Sequence, residues 1–242
     1  MEEYLYPHFY KIENEHWWFA ARQKILWNFI SQNLSLTQKS KVLDVGCGTG
    51  AILDTFTKHF EAYGQDVSEQ AVDFCKQRGL QNVFRGYLNE LPSHLNEFDL
   101  VTAFDVVEHI EDDFGVLKQM HSLLKTNGNV LITVPAFQML WGAHDVVTHH
   151  KRRYVKATLR AVMEKAGFEI VRMSYFNFFL FPVAVARRIQ AKITKVDEAK
   201  DLEMPSPRLN GILKSVFEME KNILPTINFP VGLSLIAIGR KK

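Results

Sequence analysis

The sequence predicts an α/β domain with a mainly parallel, doubly wound sheet, and three observations support this fold class. Short apolar runs typical of buried strands alternate with segments of helical periodicity along most of the chain. The first such run, Lys41–Val45, ends in a glycine-rich turn that precedes a helix. No repeat or low-complexity tract interrupts the alternation. Consecutive βαβ units have right-handed crossovers and place helices on both faces of one sheet.

Each predicted element has its own signals at its ends. Ser68 is a good N-cap for one helix, and Gly79 ends that helix. The predicted strands are Lys41–Val45, Glu61–Asp66, Val83–Gly86, Phe98–Phe104, Asn129–Val134, Phe168–Ser174 and Leu233–Gly239. The predicted helices are Glu13–Asn33, Ala51–His59, Ser68–Arg78, Asp112–Leu124 (stopped at Asn127-Gly128) and Thr158–Ala166.

The 242 residues are predicted to form one domain in four parts. Residues 1–38 form an N-terminal helical lid that holds three of the four tryptophans, and residues 39–175 form the core. Residues 176–230 form a helical insertion interrupted by prolines, and residues 231–242 contain the last strand. The insertion is too apolar, and too enclosed by strands, to be a separate domain.

Composition narrows the possible functions. A net charge of +2 without a basic stripe argues against nucleic acid as a partner. No signal peptide is visible, and the longest apolar run, nine residues from Phe178, is too short to cross a bilayer, so we expect a cytoplasmic protein. Contact with a membrane surface stays open, because Arg187 and Arg188 accompany the apolar insertion. Cys47 and Cys75 are expected to be free thiols. The oligomeric state cannot be read from the sequence.

The turn after the first strand is a candidate nucleotide site. Gly46, Gly48 and Gly50 allow positive φ and a close approach of a ligand to the backbone, and the next helix presents free N–H groups. The spacing Gly-x-Gly-x-x-Ala also fits a dinucleotide fingerprint. Asp44, just before the turn, suits a cation better than a pyrophosphate. Asp66, 20 residues after Gly46, can accept both hydroxyls of a ribose in either kind of enzyme.

Four motifs in order make the sequence resemble the class I (Rossmann-like) S-adenosylmethionine-dependent methyltransferases. Val42–Gly50 resembles the first motif of that family, and Tyr63–Ser68 resembles its acidic second motif. Phe98–Val101 with Val106–Ile110 resembles the fourth strand and the turn after it. Leu123–Asn129 resembles the turn before the fifth strand. The resemblance covers about residues 40–175.

The resemblance implies a seven-stranded sheet of order 3-2-1-4-5-7-6, with strand seven antiparallel, and S-adenosyl-L-methionine as cofactor. It implies that Cys47 and the glycines of the turn approach the cofactor, that Asp66 holds the ribose and that Val67 packs on the adenine. It places Ala103 and Phe104 near the methionine part. Tyr87, followed by Leu88, stands where many members carry an acid that contacts the adenine amine.

Methyl transfer from a sulfonium depends mainly on positioning, and an oxygen or nitrogen acceptor can also need a base. His109 follows the fourth strand and is a candidate cofactor contact or base. His144 and His149 lie in the loop after the fifth strand and are candidate bases. A metal site formed by His144, Asp145, His149 and His150 is a lesser alternative, and we expect no bound metal.

The loop after the fifth strand is also a candidate substrate lid. His144, Asp145, Arg152, Arg153 and Tyr154 are its candidate substrate contacts, because an arginine can clamp a phosphate or carboxylate with two hydrogen bonds. The alternative is a solvated polar loop whose Arg153 and Tyr154 pack on the next helix.

Trp17 and Arg22 lie in the N-terminal segment and could cover the site or bind the methionine carboxylate. The alternative is an amphipathic helix that packs its aromatic residues on the core.

The enzyme most consistent with these features transfers a methyl group to a small-molecule or lipid- or sugar-linked acceptor, at oxygen or nitrogen. Two alternatives stay open. A nicotinamide-dependent dehydrogenase would need a catalytic tyrosine–lysine pair or cysteine near the sheet edge, and no convincing pair is present. A non-catalytic, methyltransferase-like binding subunit would be expected to lose the glycine turn or Asp66, and both are present.

Overall fold

The computed structural model describes residues 4–194 and 203–242. Its sheet has seven strands in the order β3-β2-β1-β4-β5-β7-β6, and β7 is antiparallel to both of its neighbours. This order confirms the predicted fold class. The strands are β1 (Lys41–Val45), β2 (Glu61–Asp66), β3 (Val83–Arg85), β4 (Phe98–Phe104), β5 (Leu124–Pro135), β6 (Phe168–Phe176) and β7 (Ser234–Lys241).

Helices cover both faces of the sheet and one of its edges. They are α1 (Leu5–Ile12), α2 (Trp17–Asn33), α3 (Ala51–Thr57), α4 (Glu69–Gln77), α5 (Asp113–Leu123), α6 (Ala143–Val147), α7 (Lys156–Lys165), α8 (Phe181–Thr194) and α9 (Pro207–Glu218). The central strands β1 and β4 are almost entirely buried, as expected for parallel strands covered on both faces. The four parts of the chain predicted from the sequence stay a prediction, and residues 195–202 of the insertion lie outside the described residues.

Three predicted element boundaries were wrong. The N-terminal helical segment predicted over roughly Glu13–Asn33 begins earlier, because α1 covers Leu5–Ile12. The next helix, α2, starts at Trp17, where His16 caps it and accepts a hydrogen bond from the Trp18 amide at 3.4 Å. Strand β5 begins at Leu124 rather than at the predicted Asn129, because Leu124 already pairs with Phe98 directly after α5 ends at Leu123. The loop after β5 contains the short helix α6, which was not predicted because the sequence around it is polar.

Two distant parts of the chain meet above the carboxyl edge of the sheet. The Asn210 side chain of α9 accepts a hydrogen bond from the first amide of α2, Trp17 N, at 2.8 Å, and donates to the Glu15 carbonyl at 2.9 Å. Two turns further along, Lys24 pairs with Glu218 at 2.9 Å. We call α2, α8 and α9 together the roof. Within residues 4–194 and 203–242, no helix is both long enough and apolar enough to span a bilayer.

Candidate active site

A cavity of about 900 Å³ lies between the carboxyl edge of the sheet and the roof. The glycine turn, the segments that follow β4 and β5, and helices α2, α8 and α9 all contribute side chains to its wall. In open α/β sheets, ligands bind beyond the carboxyl ends of the strands, where connections leave in opposite directions. The cavity is therefore the candidate active site.

The glycine turn has the conformation that its sequence predicts. Gly46, Gly48 and Gly50 all have positive φ, at 64°, 56° and 88°. A Cβ at Gly46 would lie 2.5 Å from Cγ2 of Val106, so this glycine allows β1 to approach the segment after β4. Gly48 lines the cavity, and apart from its two chain neighbours no described atom lies within 4 Å of its Cβ position. The backbone is therefore exposed at Gly48, where a ligand can lie directly on it.

Asp44 is a buried carboxyl group in the floor of the cavity. Its Oδ1 accepts a hydrogen bond from Thr102 Oγ1 at 2.6 Å. Burial raises the pKa of Asp44 from 3.8 to about 7, against the opposing effects of Thr102 and the Arg22 charge. A buried carboxyl group of this kind is poised to ionise when a cation arrives.

Asp66 ends β2 and holds the turn in place. Its Oδ2 accepts a hydrogen bond from Gly48 N at 2.9 Å, and its Oδ1 accepts one from Ser68 N at 2.9 Å. Burial raises the pKa of Asp66, while these amides lower it. Each carboxylate oxygen has a second lone pair, so both can still accept a further hydrogen bond from a hydroxyl.

Glu13 ties the N-terminal segment to the glycine turn, and sequence reasoning missed it. Its carboxylate accepts a hydrogen bond from Thr49 Oγ1 at 2.7 Å and forms an ion pair with Arg78 of the α4 C-terminus. Arg78 also donates to the Thr49 carbonyl at 2.7 Å. No local pattern marks this triad, since its members are 36 and 65 residues from Glu13.

The end of β4 brings a second charged pair to the cavity wall. Asp105 has φ 56°, a left-handed conformation that non-glycine residues seldom adopt. This turn directs its carboxylate to Arg22, which also donates to Thr133 Oγ1 at 3.1 Å and lies over the Trp18 ring at 4.7 Å. Arg22 thus lines the cavity, as predicted, with its guanidinium already engaged.

Glu108, His109 and His150 form a cluster in the cavity wall beside that pair. Glu108 is fully buried, and burial together with the nearby Asp105 charge raises its pKa well above the ordinary value. Burial and the neighbouring His150 lower the pKa of His109 to about 3, so His109 is neutral at pH 7. The two imidazole rings meet edge to face, with centroids 4.6 Å apart.

Asp145 lies outside the cavity wall and orients the His150 ring of this cluster. Its Oδ1 lies 2.7 Å from His150 Nδ1. Arg153 donates to Oδ1 at 2.8 Å and to Oδ2 at 2.9 Å. Burial alone would raise the pKa of Asp145, but the hydrogen bonds from His150 and Arg153 hold it well below its ordinary value. Asp145 is itself fully buried, so its contacts here are with protein groups.

The predicted site residues therefore divide into two groups by position. The cavity wall includes Trp17, Arg22, Asp44, Gly46, Cys47, Gly48, Phe104, His109, His144 and Arg153. Outside that wall, among the described residues, lie Gly50, Asp66, Val67, Tyr87, Leu88, Ala103, Asp145, His149, Arg152 and Tyr154. The roles of both groups stay predictions.

Several residues of the second group have contacts within the protein. Arg152 pairs with Asp113 at 2.9 Å, and the Tyr154 hydroxyl donates to Asp113 at 2.8 Å. Val67 and Tyr87 are 53% and 67% exposed beside the β2 and β3 ends, and Ala103 and Leu88 are buried. His149 is exposed, whereas His150, one residue on, lines the cavity.

The family model for the methyltransferase domain matches residues 12–173, about two thirds of the chain. The chain is a class I S-adenosylmethionine-dependent methyltransferase. The methyltransferase is 25% identical over 175 residues to the ubiquinone biosynthesis O-methyltransferase of Haemophilus ducreyi, covering 62% of this chain and 74% of the relative. It is 27% identical over 173 residues to the demethylmenaquinone methyltransferase of Staphylococcus epidermidis, covering 65% and 69%.

Solved structures confirm the fold. A SAM dependent methyltransferase from Archaeoglobus fulgidus superimposes with a TM-score of 0.58 at 22% identity, covering 91% of this chain and 93% of that one. Phosphoethanolamine N-methyltransferase 2 of Haemonchus contortus, solved in complex with S-adenosyl-L-methionine, superimposes with a TM-score of 0.57 at 18% identity, covering 89% and 52%. At these identities the likeness concerns the fold alone.

The family decides between the two kinds of nucleotide site that the glycine turn allowed. The methyltransferase uses S-adenosylmethionine, so the dehydrogenase alternative was wrong. The protein is an enzyme, so the alternative of a non-catalytic binding subunit was wrong as well. Its described residues fit that cofactor, because Asp44 is a buried carboxyl group in the cavity floor and Gly48 leaves its backbone open.

Proposed function

We propose that the methyltransferase methylates a hydroxyl oxygen of an apolar, ring-bearing small molecule of the quinone-precursor class, carrying a lipid-like tail. The observation that carries this proposal is the cavity itself, which joins the glycine turn, a polar cluster and an apolar wall in one space. The names of the relatives in ubiquinone and menaquinone metabolism support the same acceptor class.

The donor end of the cavity is formed by the glycine turn. There Gly46 and Gly48 would lie along the methionine part, Asp44 would face its ammonium group, and Asp66 would accept hydrogen bonds from the ribose hydroxyls. Phe104 and Trp17 would exclude water from this end. When bound, S-adenosylmethionine supplies a methyl group on a positively charged sulfur, which is transferred in line to the acceptor.

The acceptor end is formed by α8 and α9 of the roof. Leu180 and Val183 of the α8 region and Leu209 and Leu213 of α9 line this part of the cavity. Their apolar side chains suit a prenyl-like tail, whose burial contributes about 25 cal/mol per Å². Such a wall favours an apolar acceptor over an RNA or a protein.

The polar cluster would take the proton that an acceptor hydroxyl loses. His150 presents its ring to the cavity, and Asp145 fixes the orientation of that ring through Nδ1. A histidine oriented by a buried carboxylate is the arrangement found in general bases. It favours oxygen as the methylated atom, because a hydroxyl requires deprotonation near neutral pH.

Contact with a membrane surface would suit a lipid-linked acceptor. Val183 and Ile189 of α8 and Ile212 of α9 are each more than half exposed. Flotation of the protein with vesicles containing anionic lipid is the measurement that checks this contact.

The test of the proposed function is an acceptor panel with labelled S-adenosylmethionine. The panel contains a prenylated catechol, the same catechol without its prenyl tail, the matching aromatic amine and total cellular RNA. We expect the prenylated catechol to give the highest kcat/KM, with mass spectrometry and NMR placing the methyl group on oxygen. Labelling of the amine or of RNA alone would refute the proposal.

A further inference from the structure

Three metal-binding side chains meet in the cavity wall at the acceptor end. Glu108 and His109 belong to a short 3-10 turn, Val107–His109, that follows β4, and His150 comes from the loop after α6. One ligand atom from each of the three lies within 4.8 Å of the other two. These residues come from two segments that a backbone hydrogen bond from Lys151 N to the Glu108 carbonyl, 2.7 Å long, holds together.

Both histidines are oriented as metal ligands are. His150 Nδ1 lies 2.7 Å from Asp145, whose pairing with Arg153 makes it an acceptor, so Nδ1 carries the proton and Nε2 presents its lone pair. Nε2 lies on the side of Glu108, 3.9 Å from Oε1. His109 bonds to the Thr148 backbone, and its buried Nδ1 has no hydrogen-bond partner within the described chain. Metal-bound histidines usually donate their second ring N–H to a carboxylate or carbonyl in this way.

Glu108 is the carboxyl group of the cluster. Its side chain is fully buried, and neither carboxylate oxygen has a hydrogen-bond partner among residues 4–194 and 203–242. Buried carboxylates are normally paired with a cation or with donors, because an unpaired one costs several kcal/mol. The cations on either side, Arg22 and Arg153, pair with Asp105 and Asp145 instead.

We propose that Glu108, His109 and His150 bind one divalent transition-metal cation of the zinc type. Two imidazoles and one carboxylate are a ligand set of catalytic zinc sites and of other first-row metal sites with open positions. Magnesium is disfavoured by the two nitrogen ligands. From the sequence, no bound metal was expected, and a site formed by His144, Asp145, His149 and His150 was the lesser alternative. Of these four, His150 is a ligand here, and Asp145 lies behind it.

The role of this cation in catalysis rests on the proposed function. With its Nε2 lone pair on the cation, His150 would act as a ligand and no longer as the base. A cation open to the cavity would bind the acceptor hydroxyl and lower its pKa, so that the proton leaves to solvent water. The oxygen then forms a bond to the methyl carbon as the carbon–sulfur bond breaks, and that electron pair stays on the sulfur. No oxidant or reductant is needed.

The test uses Co²⁺ as the probe, on the full chain freed of metal by a chelator. We expect one equivalent of Co²⁺ to bind and to give a visible absorption spectrum of a low-symmetry site. Glu108→Gln and His150→Ala should each weaken binding by at least about a hundredfold, since even residues behind the ligands contribute 10–100-fold. His94→Ala is the control, because His94 is exposed in the β3–β4 connection.

Two further measurements keep the result decisive if a variant fails to fold. Circular dichroism monitors the variants, and X-ray absorption of the Zn²⁺-loaded wild type must show two imidazoles in the metal shell. Equal Co²⁺ binding by all variants, or a metal shell without imidazole, overturns the proposal.

Titration with S-adenosylhomocysteine separates the metal site from the proposed function. If metal-free protein binds it and methylates the acceptor at full rate, the metal site falls and the proposed function stands. If Co²⁺ binds but no acceptor of the quinone-precursor class is methylated, the metal site stands and the proposed function falls.

Discussion

The two ends of the cavity are built in different ways. The donor end is formed by neighbours in sequence, because Asp44, Gly46, Gly48 and Asp66 lie within 23 residues on β1, its turn and β2. The acceptor end is assembled from segments far apart in the chain, which a hydrogen bond across 193 residues, from Trp17 to Asn210, helps to join. The donor end is therefore fixed by local backbone geometry, and the acceptor end by tertiary contacts.

This difference teaches that the two ends should be separable by mutation. Changes in the glycine turn should affect the binding of S-adenosylhomocysteine and leave acceptor preference alone. Changes in the polar cluster or in the roof should do the opposite. Four substitutions test this separation, in order of decreasing expected effect.

Glu108→Gln should have the largest effect and should be confined to the acceptor end. The isosteric amide removes the carboxyl group of the polar cluster, so we expect the methylation rate to fall by about 10²–10⁴-fold, the range for loss of a proton-transfer or metal ligand group. Affinity for S-adenosylhomocysteine should stay within about twofold. Calorimetric titration beside steady-state kinetics checks both, and a parallel loss of cofactor affinity would mean that the two ends are not separable.

Asp44→Asn should alter the pH dependence of stability at the donor end. The pKa of Asp44 is raised on folding from 3.8 to about 7, so the folded state binds this proton more tightly than the unfolded chain does. Its contribution is then fully present below about pH 4 and is lost as pH rises to 7, by up to about 4 kcal/mol.

Urea unfolding at several pH values between 5 and 8 measures this slope. The asparagine variant, which can still accept the hydrogen bond from Thr102, should lose less stability across that range than the wild type. Saturating S-adenosylhomocysteine should reduce the loss in the wild type, because its ammonium group would pair with the carboxylate. Parallel curves for the two proteins would contradict the raised pKa.

Gly46→Ala should weaken the donor end by a smaller amount. Alanine at φ 64° is strained by about 1–2 kcal/mol, and its Cβ would lie 2.5 Å from Val106 Cγ2. We expect about a tenfold or greater loss of affinity for S-adenosylhomocysteine, with acceptor preference unchanged. Gly211→Ala is the matched control, because Gly211 is inside α9 and, apart from its chain neighbours and the backbone of its own helix, no described atom lies within 4 Å of its Cβ position. That change should raise the melting temperature slightly, since alanine favours a helix by up to about 1 kcal/mol.

Asn210→Ala should have the smallest effect and should appear only at the acceptor end. It removes the acceptor of the Trp17 amide and the donor to the Glu15 carbonyl, worth about 1 kcal/mol each at most. A loosened roof should raise the acceptor KM severalfold with little change in kcat. Asn96→Ala, which loses only a bond to the nearby Ser93 carbonyl, is the control. A change in cofactor affinity instead would show that the roof also shapes the donor end.

The sequence predicted the parts of this molecule that local rules determine. The strands, the glycine turn and Asp66 could be read directly, because apolar periodicity and positive φ leave a local signal. Helix α1 lies before the predicted helical range, and the Glu13–Arg78 pair that follows it joins segments too distant to leave a local signal. Glu108 was seen only as part of a motif, and its burial without a hydrogen-bond donor becomes visible only in three dimensions.

The loop after β5 shows the same limit in one stretch of chain. Its histidines and arginines were predicted to face a substrate, and the structure places His144, His150 and Arg153 in the cavity wall. Arg153 nevertheless forms an ion pair with Asp145, and Arg152 and Tyr154 contact Asp113, so these polar groups are engaged within the protein. Composition could not distinguish a ligand contact from an internal pair, because both require the same residue types.

The position of β7 between β5 and β6 affects the order in which the protein can fold during synthesis. Residues 234–241 are translated after both of their neighbours, so β5 and β6 each present an unpaired strand edge until β7 emerges from the ribosome. Unpaired edges promote association between chains. Nascent chains stalled before residue 234 should therefore depend on chaperones, whereas chains stalled after β7 should not.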